Sequence, residues 1–194
     1  MRPVIFAIAL AFAPIVGIAI GRSAYAAEVV ALADLEGAMV EADVQRDQIV
    51  RNQKGTISLK MQQIWQVSID DQKYVEYKVT TTRRGPGGTQ TAKPNLSTRA
   101  LDEPYKTPDR GGGEVLWTFV DGTLIFTRTF PSGAYRLKFA FAKGPSGLTC
   151  TVTEAFAREN GRGEIKMISP FSGNEVTIVS SKQLPSTCHV TRKN

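Results

Sequence analysis

An all-β fold, a single antiparallel β-barrel or sandwich, is predicted by three features of this 194-residue sequence. Residues 56–69 alternate strictly. Ile57, Leu59, Met61, Trp65, Val67 and Ile69 hold six of the seven odd positions, and Ile64 is the only apolar residue at an even one. Side chains of a strand point alternately to opposite faces, so only a period of two produces this pattern. Asp121-Gly122 separates two apolar-rich runs, the strongest short signal for a two-residue hairpin. Turn-forming clusters then recur along residues 27–194 without a long helical period, which indicates about eight to nine short strands. A closed barrel would remove the exposed edges of such a sheet.

The centre of the chain is a four-strand meander over residues 114–157. A type I′ turn at Asp121-Gly122 pairs Val120 with Thr123, which sets Trp117 opposite Phe126 and Phe119 opposite Leu124 on one face. Phe130-Pro-Ser-Gly133 turns the chain again. Tyr135, Leu137, Phe139 and Phe141 then alternate with Ala134, Arg136, Lys138 and Ala140, as in a strand with one wet face. Lys143-Gly-Pro-Ser-Gly147 leads to a fourth strand carrying Leu148, Cys150, Val152 and Phe156 on the apolar side.

Two charges interrupt that apolar face: Arg128 and Glu154. An ionised group in a core is costly unless paired. Either both residues lie at sheet ends or pair with one another, or they are polar anchors in a ligand cavity. Gln63, on the apolar side of residues 56–69, poses the same question: it is a satisfied core amide or a second anchor.

The rest of the chain extends this sheet. Residues 28–35 are compatible with a short helix or an irregular lead-in. Residues 38–51 read as a strand, because Val40, Ala42 and Val44 alternate with Met39, Glu41 and Asp43, with a helix as the alternative. Asp70-Asp71-Gln72 is a solvated turn with no spaced oxygen-ligand loop for calcium. It leads into residues 73–83, with Val75, Tyr77 and Val79 on one face. Residues 85–113 are rich in glycine and proline and read as a long flexible loop with one weak strand within 89–101. Loops of that length are often functional. Gly85-Pro-Gly-Gly88 lacks the Gly-Lys-Ser/Thr and the helix of a phosphate loop. Asn95-Leu-Ser97 is a formal glycosylation sequon. Residues 158–163 read as a turn, 164–168 and 175–181 as a last hairpin, and 184–194 as a tail.

Residues 1–26 have the form of a secretory signal. Arg2 precedes an uncharged apolar run over 3–20, and Ala24-Tyr25-Ala26 is a small-x-small cleavage pattern, giving Ala27 as the new N-terminus. The alternative is an uncleaved membrane anchor, which Pro14, Gly17 and the cleavage pattern disfavour. Cleavage leaves one domain, residues 27–194, large enough to bury roughly 70% of its unfolded surface. Its formal charge falls from +6 to +4 with the loss of Arg2 and Arg22. That modest, dispersed excess favours an anionic ligand or surface without indicating nucleic acid. Cys150 and Cys188, an even pair in an exported chain, are expected to form a disulfide that staples the tail to the central sheet. The expected location is the periplasm or the secreted medium.

Catalytic motifs are sparse. His189 is the single histidine, no Gly-x-Ser-x-Gly elbow exists, and one histidine with two oxidised cysteines cannot complete a structural zinc site. Glu154 has no acidic partner at a defined spacing. The expectation is a non-enzymatic protein without cofactor or metal.

The sequence Leu35-Glu-Gly37 before the first strand resembles the lead-in of lipocalin-like (calycin) barrels, with Met39 where that family usually carries a tryptophan. Residues 111–161, including Trp117-Thr-Phe119, Arg128-Thr-Phe-Pro-Ser-Gly133 and Thr151-Val-Thr-Glu-Ala-Phe156, look like exported β-barrel proteins of alphaproteobacteria. That second resemblance covers about a quarter of the chain and implies export without implying an activity. An eight-stranded barrel of this kind holds a small apolar ligand. The expected binding residues are Trp65, Tyr77, Trp117, Phe126 and Phe139 around an apolar or amphipathic molecule, with Arg128 and Glu154 as polar anchors. The alternative is a packed β-domain whose aromatics fill the core and whose 85–113 segment docks a protein or cell-envelope partner.

Overall fold

The structure is a computed structural model in which residues 28–107, 113–158 and 165–192 are described. Within them, one turn of 3₁₀ helix (Leu32–Leu35) precedes thirteen strands. Long runs of alternating residues build the first sheet: β1 (Ala38–Asn52), β2 (Gly55–Ile69) and β3 (Tyr74–Gly85). Two short strands, β4 (Gly88–Thr91) and β5 (Asn95–Ala100), both pair with β3. The chain then crosses to a second sheet of β6 (Tyr105–Lys106), β7 (Glu114–Val120), β8 (Thr123–Phe130), β9 (Gly133–Gly144) and β10 (Gly147–Arg158), in that spatial order. It returns to the first sheet as β11 (Ile165–Ile168), β12 (Glu175–Gln183) and β13 (Thr187–Arg192). β12 lies along the Arg46–Arg51 half of β1, and β13 along the Ala38–Asp43 half.

All the ladders are antiparallel, and the two sheets of eight and five strands form a sandwich rather than a closed barrel. The edges are nevertheless stitched. On one side, Asp102 N–H donates to the Trp117 carbonyl at 2.8 Å, beside a Leu101–Trp117 bridge. On the other, Cys150 of β10 and Cys188 of β13 form a disulfide with their Cα atoms 5.5 Å apart. Next to it, the Gln183 side chain substitutes for a ladder. It accepts from the Glu154 N–H at 2.8 Å and donates to the Val152 carbonyl at 3.2 Å. A disulfide of this kind is consistent with an oxidising compartment.

The central hairpin has the register expected from its turn, with Val120 opposite Thr123, Trp117 opposite Phe126 and Phe119 opposite Leu124. Asp121 and Gly122 both adopt positive φ, +47° and +70°, as a type I′ turn requires. Asp70 Oδ1 accepts from the backbone of Gln72 and Tyr74, so the Asp70-Asp71 turn is held by its own side chain.

Residues 85–107 differ from the long loop that their composition suggests. They fold back as β4 and β5 on the free edge of β3 and as β6 beside β7; residues 108–112 lie outside the described set. These strands are short and mostly exposed, so backbone pairing, not burial, defines them, and hydrophobic periodicity cannot reveal it. The tail is likewise a strand, β13, rather than a loose extension. The turn expected at 158–163 and the signal segment at 1–26 fall almost wholly or wholly outside the described residues. Among the described residues, no helix is long and apolar enough to cross a membrane.

Candidate functional site: a cationic cavity at one end of the sandwich

Strand length positions the cavity. β1 and β2 have fifteen residues each, about 50 Å at roughly 3.3 Å per residue, whereas in the second sheet β7 has seven, β8 eight, and β9 and β10 twelve each. The β1–β2 hairpin therefore projects past the second sheet. The inward residues of the overhang gather in a separate apolar cluster of Val50, Leu59 and Met61, with Ile57, Phe171 and Val176 against it.

The other end of the interior is filled. Trp65, Tyr77, Trp117, Phe126 and Phe139 pack as one aromatic group with ring centroids 5.1–6.4 Å apart. Trp117 and Phe139 are fully buried in it. Edge-on and offset contacts at these separations are favourable beyond the burial of area.

Between the aromatic group and the overhang lies a polar layer. Arg46 of β1 donates through Nη1 to Glu154 Oε2 of β10 at 2.8 Å and to Gln63 Oε1 at 3.0 Å. Tyr135 Oη donates to the same Glu154 oxygen at 3.2 Å and lies 3.4 Å from Gln63 Oε1. Gln63 Nε2 donates to Thr81 Oγ1 at 3.3 Å. The guanidinium also sits 5.7 and 5.6 Å from the ring centroids of Tyr135 and Phe156. Burial raises the Tyr135 phenol pKa well above its ordinary value, with the Glu154 charge acting in the same direction and Arg46 opposing it. Tyr77 is raised too, chiefly by burial.

Above this layer the sheets enclose a cavity of about 770 Å³, within the roughly 300–1,000 Å³ of small-molecule sites. On the side of the polar layer it is lined by Arg46, Gln48, Gln63, Thr81, Tyr135 and Arg128; the overhang adds apolar Val50, Ile57, Leu59 and Met61 together with polar Asn52, Gln53 and Lys54. Among the described residues its lining carries six basic side chains, Arg46, Lys54, Arg83, Lys93, Arg99 and Arg128, against one carboxylate, Glu175. Glu175 itself is exposed and 3.8 Å from Lys166. Low-dielectric walls concentrate the field of such a one-signed lining.

Of the residues singled out in the sequence, Trp65, Tyr77, Phe126 and Arg128 line this cavity. Trp117 and Phe139 do not; they are core behind it. Glu154 is also outside the lining, and its partner is Arg46, not Arg128 as the pairing alternative held. The Arg128 guanidinium lies 5.3 Å from the Phe130 ring centroid. Gln63 is bonded in the polar layer, as the core-amide alternative expects, and also lines the cavity.

Arg46 and Gln48 escape the sequence reading. The signal was present: Val40, Ala42, Val44, Arg46, Gln48 and Val50 share one parity, and all are buried. His189 is on the exposed side of β13, opposite Glu41. Among the described residues no three His, Cys, Asp or Glu side chains are grouped as metal ligands. Comparison of the chain with protein-family models, with curated proteins and with solved structures gives no match.

Proposed function

We propose that this is an exported, non-enzymatic binding protein that carries an anionic amphiphile, with the apolar body of the ligand against the β1–β2 overhang and its charge among the basic residues. The observation that carries the reading is the composition of the cavity: among the described residues, an apolar patch from the overhang together with six cationic side chains and one carboxylate. A cavity that only reflected imperfect packing would be small and apolar, because unfilled interiors are lined by core side chains. Export to the periplasm or the medium is supported by the Cys150–Cys188 disulfide and by the signal-like sequence of residues 1–26. The alternative of an interaction module resting on a protruding 85–113 loop loses support, since Gly88–Thr91, Asn95–Ala100 and Tyr105–Lys106 within it are paired onto β3 and β7.

Calorimetric titration with three probes of equal chain length tests the proposal: dodecanoate, dodecanol and dodecyltrimethylammonium. Dodecanoate is expected to bind best. Arg128→Ala should weaken it about tenfold, the scale of one charge-assisted hydrogen bond, while the variant keeps its strand circular dichroism. Equal binding of the anion and the cation, or unchanged dodecanoate affinity in folded Arg128→Ala, would refute it.

A further inference from the structure

We infer that the ligand is a monocarboxylate that enters head first, its carboxylate received at the base of the cavity by Arg46 and Gln48. This deepens the binding reading above and rests on it. Arg46 and Gln48 are two residues apart on one face of β1, about 7 Å along the strand. Both line the cavity and both are 5% exposed. Each leaves a buried donor without a protein acceptor: Nε of Arg46 and Nε2 of Gln48. Arg46 Nη1 is already committed to Glu154 and Gln63, so it is a different edge of the guanidinium that lacks an acceptor. Other buried polar atoms among the described residues also lack a partner, Trp117 Nε1 for one; Arg46 Nε and Gln48 Nε2 are set apart as neighbours on one strand face of the cavity lining, where an acceptor would satisfy both. A carboxylate offers two acceptor oxygens and prefers a guanidinium edge.

The charge of the base limits the head group. Glu154 already compensates Arg46, at 2.8 Å and with a side chain only 2% exposed. A singly charged head adds one anion beside Arg46; a dianionic phosphate would crowd a second charge towards Glu154. The direction of entry follows from the gradient of burial. The outer cations Lys54 and Lys93 are exposed, and ion pairs in water contribute little. The inner donors are desolvated already, so an acceptor placed there recovers a cost the protein bears when empty. Val50, Leu59, Met61 and Ile57 then line the path of the tail towards the mouth.

The test uses Gln48, which none of the buried pairs depends on. Dodecanoate and methyl dodecanoate are titrated into the wild-type protein, Gln48→Leu and Gln48→Glu, with thermal unfolding as the check on folding. Gln48→Leu should weaken dodecanoate about tenfold, and Gln48→Glu by more, because it sets a like charge against the head. The uncharged ester should bind all three proteins alike. Wild-type protein that takes up no dodecanoate would overturn the binding reading itself. Dodecanoate binding that is equal in all three folded proteins would overturn only the head-first placement and leave anion binding standing.

Discussion

Arg46 and Glu154 join the two sheets through a 2.8 Å ion pair whose side chains are 6% and 2% exposed. The residues are 108 positions apart in the chain, one on β1 and the other on β10. Together with Gln63 and Tyr135 they form the polar layer between the cavity and the aromatic core.

Breaking that pair from one side should be far worse than removing it whole. Glu154→Gln leaves the Arg46 charge buried without its counter-ion, at an expected cost of about 3–5 kcal/mol. The double variant Arg46→Met with Glu154→Leu should recover most of the loss, since apolar replacement of a buried pair is often neutral. Urea denaturation of both variants checks this; a double variant as unstable as the single one would show that the pair itself stabilises the fold.

The disulfide closes a 38-residue separation between the meander and the final strand. Chain entropy for such a loop amounts to about 4 kcal/mol. Cys150→Ser with Cys188→Ser should lower the thermal midpoint markedly, and the wild-type protein should lose the same stability on reduction. Among the described residues no backbone ladder joins β10 to β13, so hydrogen exchange should rise first in β13.

Gly113 adopts φ +106°, and a Cβ there would lie 2.0 Å from the Thr129 carbonyl oxygen. Gly113→Ala should therefore cost about 2–4 kcal/mol through overpacking and left-handed strain together. Gly147 has a similar φ of +117° but open space around a Cβ. Gly147→Ala bears only the strain, about 1 kcal/mol. Equal effects in the two variants would contradict the close approach at Thr129.

The buried tyrosines fix a pH dependence. Tyr77 and Tyr135 both have phenol pKa values raised above the ordinary 10.0. Above that value the unfolded chain releases protons that the folded chain retains, so the native state binds more protons and stability falls as pH rises. Their contribution is fully present below pH 10 and is lost progressively above it. Tyr135→Phe should flatten the alkaline decline of the urea midpoint, and phenolate absorbance of the folded protein should lack two groups until it unfolds.

Much of this arrangement can be read in the sequence where burial is one-sided. β2 and the β7–β8 hairpin announce themselves because apolar side chains alternate and Asp121-Gly122 permits only one register. β4, β5 and β6 do not, because their strands exist through backbone pairing to β3 and β7, and few of their side chains are buried. The site was half legible. Arg128 and Glu154 stand out as charges within apolar faces. Arg46 and Gln48 look like the onset of a polar strand end, since a charge is tolerable inside only with a partner, and that partner lies on another sheet. The cavity itself follows from unequal strand lengths, which become meaningful only once β1–β2 is known to face β7–β8. The same facing turns Trp117 and Phe139 from candidate ligand contacts into core.

Mass spectrometry of the exported protein, first native and then denaturing, tests ligand carriage most directly. The expected result is a chain beginning at Ala27, two hydrogens lighter for the disulfide, with a reproducible bound mass that denaturation releases as a carboxylic acid. A clean protein mass under native conditions, from a protein that also takes up no added dodecanoate, would contradict ligand carriage and leave the cavity without an occupant.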